Sequence, residues 1–189
     1  MLGDLWSPTI GGATISSAFS GIGSPEQATV SLQSYLRSAF GVVTRVEQFA
    51  AVEWNALSPQ ELCASSCKPA HMFCNMNEFI NPRIRDSVLE RSLAGRWAVD
   101  SLRRQLSKPS AVVTNAFCHI CNCHCVYPRA QVHFAGAPCV DHSSQPGAKR
   151  RGLLGSSSLP LLVWCMMRVA VQESAIVHEN LVARSIVRF

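Results

Sequence analysis

Hydrophobic and polar positions along this chain change period several times, and each change marks a predicted element. Residues 13–19 (Ala-Thr-Ile-Ser-Ser-Ala-Phe) form a short, mostly apolar run of the kind a buried strand shows. A turn with two glycines comes next at Ser20–Gly23, and Ser24-Pro25-Glu26-Gln27 then opens a helix. Serine suits the N-cap, proline suits the first turn, and Gln27 completes a capping box. Ala28, Leu32, Tyr35, Leu36, Ala39 and Phe40 recur at helical spacing and predict a core-facing stripe, which Gly41 ends.

Val42–Glu53 contains a second strand, in its early part, at its end, or both with a break between. Its dense apolar residues also fit a short helix near Gln48–Val52. Ser58-Pro59-Gln60-Glu61 starts another short helix within Leu57–Cys67, and His71–Met76 fits a third strand. Asp86–Leu106 has a helical composition with no proline, and Val88, Leu89, Leu93, Trp97, Leu102 and Leu106 give it a partial apolar face. Val112–Pro128 is cysteine-rich and ambiguous. Ala130–Ala135 alternates as a strand, Ser143–Ser158 is a polar loop, Leu159–Val171 a buried helix and Ser174–His178 a final, buried strand. Such alternation of strands and helices predicts an α/β fold: an open, mostly parallel sheet with helices on both faces. Ligands in such folds bind beyond the carboxyl ends of the strands.

Composition narrows the class. With 48% apolar residues in 189, a sizeable core forms and global disorder is excluded. A formal charge of +5 permits a polyanionic partner without requiring one. Met1-Leu2-Gly3-Asp4 has no basic start and no apolar run behind it, and the apolar stretch Leu159–Met167 is too short to span a bilayer. The nine cysteines are an odd number in a chain without an export signal, which predicts reduced thiols in an intracellular protein.

Three segments carry candidate chemistry. The first is Phe19-Ser20-Gly21-Ile22-Gly23, a turn where a ligand can approach bare backbone beside a helix start that favours an anionic group. Glu53, after the second strand, is placed to accept hydrogen bonds from ribose hydroxyls, and Trp54 beside it offers an apolar face to a purine. The second segment is Ala137-Pro138-Cys139-Val140-Asp141-His142-Ser143. Proline before a cysteine at a strand end holds the sulfur on a rigid turn, and Lys149, Arg150 and Arg151 in the next loop are suited to lowering its pKa or touching phosphates. The third is Val177-His178-Glu179-Asn180-Leu181, where an acid at the end of a buried strand is costly unless it faces a cleft and a partner.

In this order the segments resemble those of the cytosine-5 DNA methyltransferases. Phe19–Gly23 resembles the family's cofactor loop, and Glu53-Trp54-Asn55 its second cofactor motif. Asn75-Met76 matches a third position, where the family usually has an aspartate facing the adenine amino group. Ala137–Ser143 resembles the Pro-Cys-x-x-Phe-Ser catalytic loop, with His142 in place of phenylalanine. Gly147 and Lys149-Arg150-Arg151-Gly152 resemble the family residues just after that loop. Glu179-Asn180-Leu181 resembles Glu-Asn-Val.

The resemblance implies a Rossmann-like fold dependent on S-adenosyl-L-methionine. Phe19, Ser20, Gly21, Ile22, Gly23, Glu53, Trp54, Asn75, Met76 and Pro138 would line the cofactor site. Cys139 would be the nucleophile and Glu179 the acid at ring nitrogen 3, with Ser143, Lys149, Arg150 and Arg151 toward DNA. It also implies a nuclear location if the source is eukaryotic. Residues 1–12 are then an N-terminal extension and 13–189 the first half of a catalytic domain. The family's Gln-x-Arg-x-Arg strand, target-recognition region and late cofactor segment have no counterpart here, so the expectation is either a fragment or gene-model truncation, or a complementary polypeptide that supplies the rest as a partner beside DNA. Two other readings share these residues: a non-enzymatic domain that binds cofactor, nucleic acid or a partner protein, and an enzyme acting on transfer-RNA cytosine.

Cys118-His119-Ile120-Cys121-Asn122-Cys123-His124-Cys125 has the ligand types of a zinc site, but it is one close cluster without a second half. Cys63, Cys67, Cys74 and His71 are candidate partners. The competing reading, a surface run of reduced thiols, leaves no metal site assigned.

Overall fold

The structure is a computed structural model that describes residues 9–19, 21, 23–53, 68–92, 104–106, 108, 110–137, 141, 155 and 157–179. Its centre is a five-stranded sheet of β1 (Thr9–Ala18), β2 (Val43–Val52), β3 (His71–Phe73), β6 (Val132–Gly136) and β7 (Ala175–Glu179), in the order β3-β2-β1-β6-β7. Every pairing in it is parallel. A separate antiparallel hairpin joins β4 (Asn115–Cys118) to β5 (Cys123–Val126). The helices are α1 (Ser24–Phe40), α2 (Pro82–Ser92) and α3 (Ser158–Val171). The expected α/β class with a mostly parallel sheet is therefore present. Among the described residues no helix is long and apolar enough to cross a membrane.

Strand order decides where a ligand can sit. The chain runs from β1 outward through β2 to β3, then returns to place β6 on the other side of β1. Connections leave the sheet in opposite directions on the two sides of this point, which opens a crevice at the carboxyl ends of β1 and β6.

Successive residues of a strand face opposite sides, and each side here meets a different helix. Ser16, Ala18, Ala50, Val52, Phe73, His133 and Ala135 are buried on one side, where Leu159, Val163, Trp164 and Met167 of α3 complete the main core. Ser17 lies on the other side, linked through Gln48 to Glu26 of α1. Under α3 the core contains a polar knot. Trp164 Nε1 donates to His133 Nε2 at 2.8 Å, which leaves Nδ1 to carry the proton toward Ser16 Oγ, also at 2.8 Å. Burial, then the charge of Arg168 and that of His178, push the His133 pKa down to about 2, so the imidazole is neutral. Its 3.9 Å approach to Glu173 is therefore no ion pair. Glu173 is paired instead with Arg168, whose guanidinium stacks 5.0 Å over the Tyr127 ring.

Several expectations need correction. The first strand begins at Thr9, inside the expected extension. The N-cap of α1 is Gly23, in the left-handed region at φ 88°, and no side chain caps it; Ser24 already lies inside the helix. The predicted apolar stripe of α1 does not face the core: Leu32, Tyr35 and Phe40 are 55%, 58% and 64% exposed. The helix is tied to β2 by Glu26 to Gln48 and Gln33 to Thr44, which turns residues 26, 30 and 33 to the sheet. The stripe 28–32–35 is two positions further on, or about 200° around the axis.

β2 is one continuous strand, without a break or a helical end. The third strand stops at Phe73, and Met76–Phe79 is a 3-10 turn. α2 starts at Pro82, four residues before the expected Asp86, and residues 93–103 of that predicted helix lie outside the described residues, as does the helix expected at 57–67. β7 is exposed along its whole length, not buried as expected; among the described residues it is an edge strand that pairs with β6.

Candidate functional site

At the crevice the chain leaves β1 through a turn that only particular backbone angles permit. Phe19 has φ 58° and Gly21 φ 62°, both left-handed, where a side chain is strained. Phe19 N–H donates to Val52 O at 2.9 Å, which ties the turn to the end of β2. A Cβ added to Gly21 would meet nothing within 4 Å, so the backbone there borders open space.

Glu53 holds the other side of this turn. Its backbone N–H donates to Phe73 O of β3 at 3.0 Å, and its carboxylate Oε2 accepts the Gly21 N–H at 2.7 Å. Glu53 is only 3% exposed, so β2, β3 and the glycine turn meet at one buried residue, β3 through its backbone N–H and the turn through its carboxylate.

β6 and β7 bring the second half of the site. Gly136 is in register with Glu179. A Cβ on Gly136 would lie 3.2 Å from Phe19 O and 3.6 Å from Glu179 Oε2. The turn after β1 and the acid at the end of β7 thus flank one glycine at the end of β6, and the absence of a side chain at 136 lets them approach. His178, beside Glu179, stacks on Trp164 at 4.8 Å, and burial lowers its pKa against the opposing charge of Glu179.

Of the predicted site residues, Phe19, Gly21, Gly23, Glu53, Asn75, Met76 and Glu179 are described. Cys139, Pro138, Ser20, Ile22, Trp54, Ser143, Lys149, Arg150 and Arg151 lie outside the described residues. Asn75 is exposed, and its side-chain oxygen accepts the Asn77 N–H at 2.9 Å to cap the 3-10 turn. Met76 is 1% exposed and packs in the core, which leaves Asn75 as the member of that pair with ligand access.

Two anchoring residues, Asp141 and Ser157, are not among the predicted site residues. Asp141, two positions after Cys139, is 2% exposed, and its Oδ2 accepts from Ser157 N at 3.0 Å and Ser157 Oγ at 2.8 Å. It therefore fastens the segment after Cys139 to the start of α3. Gly155 lies against this carboxylate so closely that a Cβ there would overlap it. Neither the Asp-His-Ser run nor the glycine at 155 forms a local pattern from which this contact could be read.

A separate cluster at the β3 edge gathers His71, Cys118, Cys121 and Cys125. Cys74 is not in it; burial and the nearby Glu78 raise its thiol pKa. Cys63 and Cys67 lie outside the described residues. A hollow of about 410 Å³ between α2 and the hairpin is lined by Glu78, Arg85, Phe117 and His124 among others, and contains none of the predicted site residues.

Comparison with protein-family models gives no match, and comparison with curated proteins gives none either.

Proposed function

We propose that this chain is the cofactor-binding and nucleophile-bearing part of a cytosine-5 methyltransferase, of Rossmann-like fold, acting on DNA. The observation that carries the reading is the meeting of the Phe19 carbonyl and the Glu179 carboxylate over Gly136 at the reversal point of the sheet. Cys139 is three residues along the chain from Gly136, which limits their Cα separation to about 11 Å.

The described residues suit S-adenosyl-L-methionine: a glycine turn with open space at Gly21 next to a buried carboxylate, Glu53. When bound, the cofactor supplies a methyl group on a positive sulfur. Glu53 would hold the ribose hydroxyls while keeping the Gly21 N–H. Cys139, as thiolate, would attack carbon 6 of cytosine, and Glu179, as carboxylic acid, would protonate nitrogen 3. The electrons pushed onto carbon 5 would take up the methyl group, leaving the cofactor's sulfur as a neutral thioether. Loss of the carbon 5 proton to a base would then re-form the 5,6 double bond and expel the Cys139 thiolate, and nitrogen 3 would return its proton to the Glu179 carboxylate. The target base must leave the helical stack for any of these contacts.

One observation favours the non-catalytic reading, a cofactor- or nucleic-acid-binding domain. Asn75 stands where the family has an acid, and it already uses its carbonyl oxygen on Asn77. An oligonucleotide containing 5-fluorocytosine separates the two, because fluorine at carbon 5 cannot leave as a cation and the adduct stays on the cysteine. With S-adenosyl-L-methionine present, a denaturation-resistant complex is expected, and Cys139→Ser abolishes it. Cofactor binding without an adduct selects the non-catalytic domain. Absence of both overturns the proposal.

A further inference from the structure

We propose that His71, Cys118, Cys121 and Cys125 form a closed, structural zinc site that staples the β4–β5 hairpin to the edge of the parallel sheet. This rests on the cluster alone and is independent of the methyl-transfer reading.

The four donors come from separate places in the fold. His71 begins β3, Cys118 ends β4, Cys121 lies in the hairpin turn, and Cys125 returns on β5. Their ligand atoms all lie within 4.8 Å of one another. Both Cys118 Sγ and Cys121 Sγ are 3.6 Å from His71 Nδ1. A tetrahedral zinc with sulfur at about 2.3 Å and nitrogen at about 2.0–2.1 Å sets those atoms about 3.6 Å apart. The two sulfur–nitrogen separations match that value, and the remaining pairs, all within 4.8 Å, are close enough for small side-chain movements to bring them onto one ion. The cysteines here are free.

Local backbone explains the convergence. Asn122, at φ 53°, lets the turn close tightly, so Cys118-x-x-Cys121 forms a knuckle with both sulfurs toward β3. The hairpin is held there by His119 N–H donating to Met72 O at 2.8 Å. Thiols and an imidazole offer one another only weak hydrogen bonds. Three soft sulfurs and one imidazole suit zinc, with iron as the main competitor. Four protein ligands leave no open position, which is the mark of a structural rather than a catalytic site. Binding would release the thiol protons and join positions 47 residues apart in sequence. It would also cover β3, which is otherwise a sheet edge.

Cys123 is the internal control: it is exposed, 3.7 Å from Cys125, and outside the set of four. The experiment is metal analysis of the full chain, expressed with zinc and purified without chelators, then replacement with cobalt(II). One zinc per chain is expected, and the cobalt form should show thiolate-to-metal charge transfer with the intense visible bands of tetrahedral coordination. Cys121→Ser, at an exposed position, should weaken zinc by more than the roughly 10–100-fold that loss of an outer-shell partner costs. Cys123→Ser should leave zinc content and the cobalt spectrum unchanged. A wild-type chain that takes up neither metal overturns the site. So does visible absorption with iron in place of zinc, or equal zinc loss from the Cys121 and Cys123 variants. If Cys121→Ser does not fold, the wild-type cobalt spectrum still decides.

Discussion

Glu53 offers the sharpest test of the cofactor site, because its carboxylate has a structural task that can be measured separately from binding. It accepts the Gly21 N–H at 2.7 Å and is nearly buried. A hydrogen bond to a charged group contributes about 1.5–3 kcal/mol. Gly21 is half-buried, so water recovers part of that when the acceptor is lost, and Glu53→Ala should reduce folding stability by about 1.5–2 kcal/mol. If Glu53 holds the ribose as proposed, the same substitution should weaken S-adenosyl-L-methionine binding by about 1–3 kcal/mol, or about 5–160-fold. Glu53→Gln keeps one acceptor but loses the charge. It should hold the turn nearly as well as wild type and bind cofactor with intermediate affinity. Urea denaturation gives the first quantity and titration calorimetry the second, at a temperature where circular dichroism shows all three proteins folded. If Glu53→Ala loses stability but binds cofactor as tightly as wild type, Glu53 is a turn anchor only and the ribose assignment fails.

Stability should fall as pH drops below about 6.5, because His133 is neutral in the fold and its pKa of about 2 lies under the ordinary value of 6.5. The unfolded chain binds the proton and the folded one does not, which gives a slope of up to about 1.4 kcal/mol per pH unit. Glu173 acts in the opposite sense: burial raises its pKa, so its contribution is present below 4.5 and is lost as pH rises through the folded value. Wild type and His133→Gln share that contribution, so comparing the two between pH 5 and 6.5 isolates the histidine, and identical slopes would refute the assignment. Gly155→Ala should cost about 1–3 kcal/mol, since the added methyl group displaces Asp141 from Ser157 and leaves buried donors unpaired. Equilibrium denaturation measures it, and a neutral result would show that Asp141 can move without loss.

The sheet was largely legible because parallel strands read as apolar runs. Residues 13–19, 130–135 and 174–178 fall within or next to β1, β6 and β7, and 159–171 matches α3. The signal fails where polar contacts set the geometry. α1 has a clear apolar stripe, yet Glu26 and Gln33 determine which side meets the sheet. Periodicity measures amphipathicity and does not identify the neighbour. The hairpin is hard to read because its turn is His119-Ile120-Cys121-Asn122, without the glycine that marks most tight turns. The spacing of Cys118, Cys121 and Cys125 is visible in the sequence, but the fourth donor sits 47 residues before Cys118 and is paired with them only by the docking of the hairpin on β3. For the crevice, sequence supplied Phe19, Glu53 and Glu179. It did not supply Gly136, whose importance is the space it leaves between two of them.

The exposure of β7 constrains the chemistry. Glu179 stands at the end of a strand exposed along its whole length, with Ile176 and Val177 46% and 50% exposed beside it. In the proposed reaction, the contact between Glu179 and nitrogen 3 would exclude water only if something covered the β7 edge during the step. The extruded base can supply part of that cover, since it would lie against Glu179 and Gly136. Apolar side chains at 176 and 177 suit a second polypeptide segment supplying the remainder. If Cys139 and Glu179 act as proposed, they would not suffice together: water would also have to be excluded from the end of β7. An adduct formed by the isolated chain would then be slow, and it would accelerate when a segment closing that edge is added in trans.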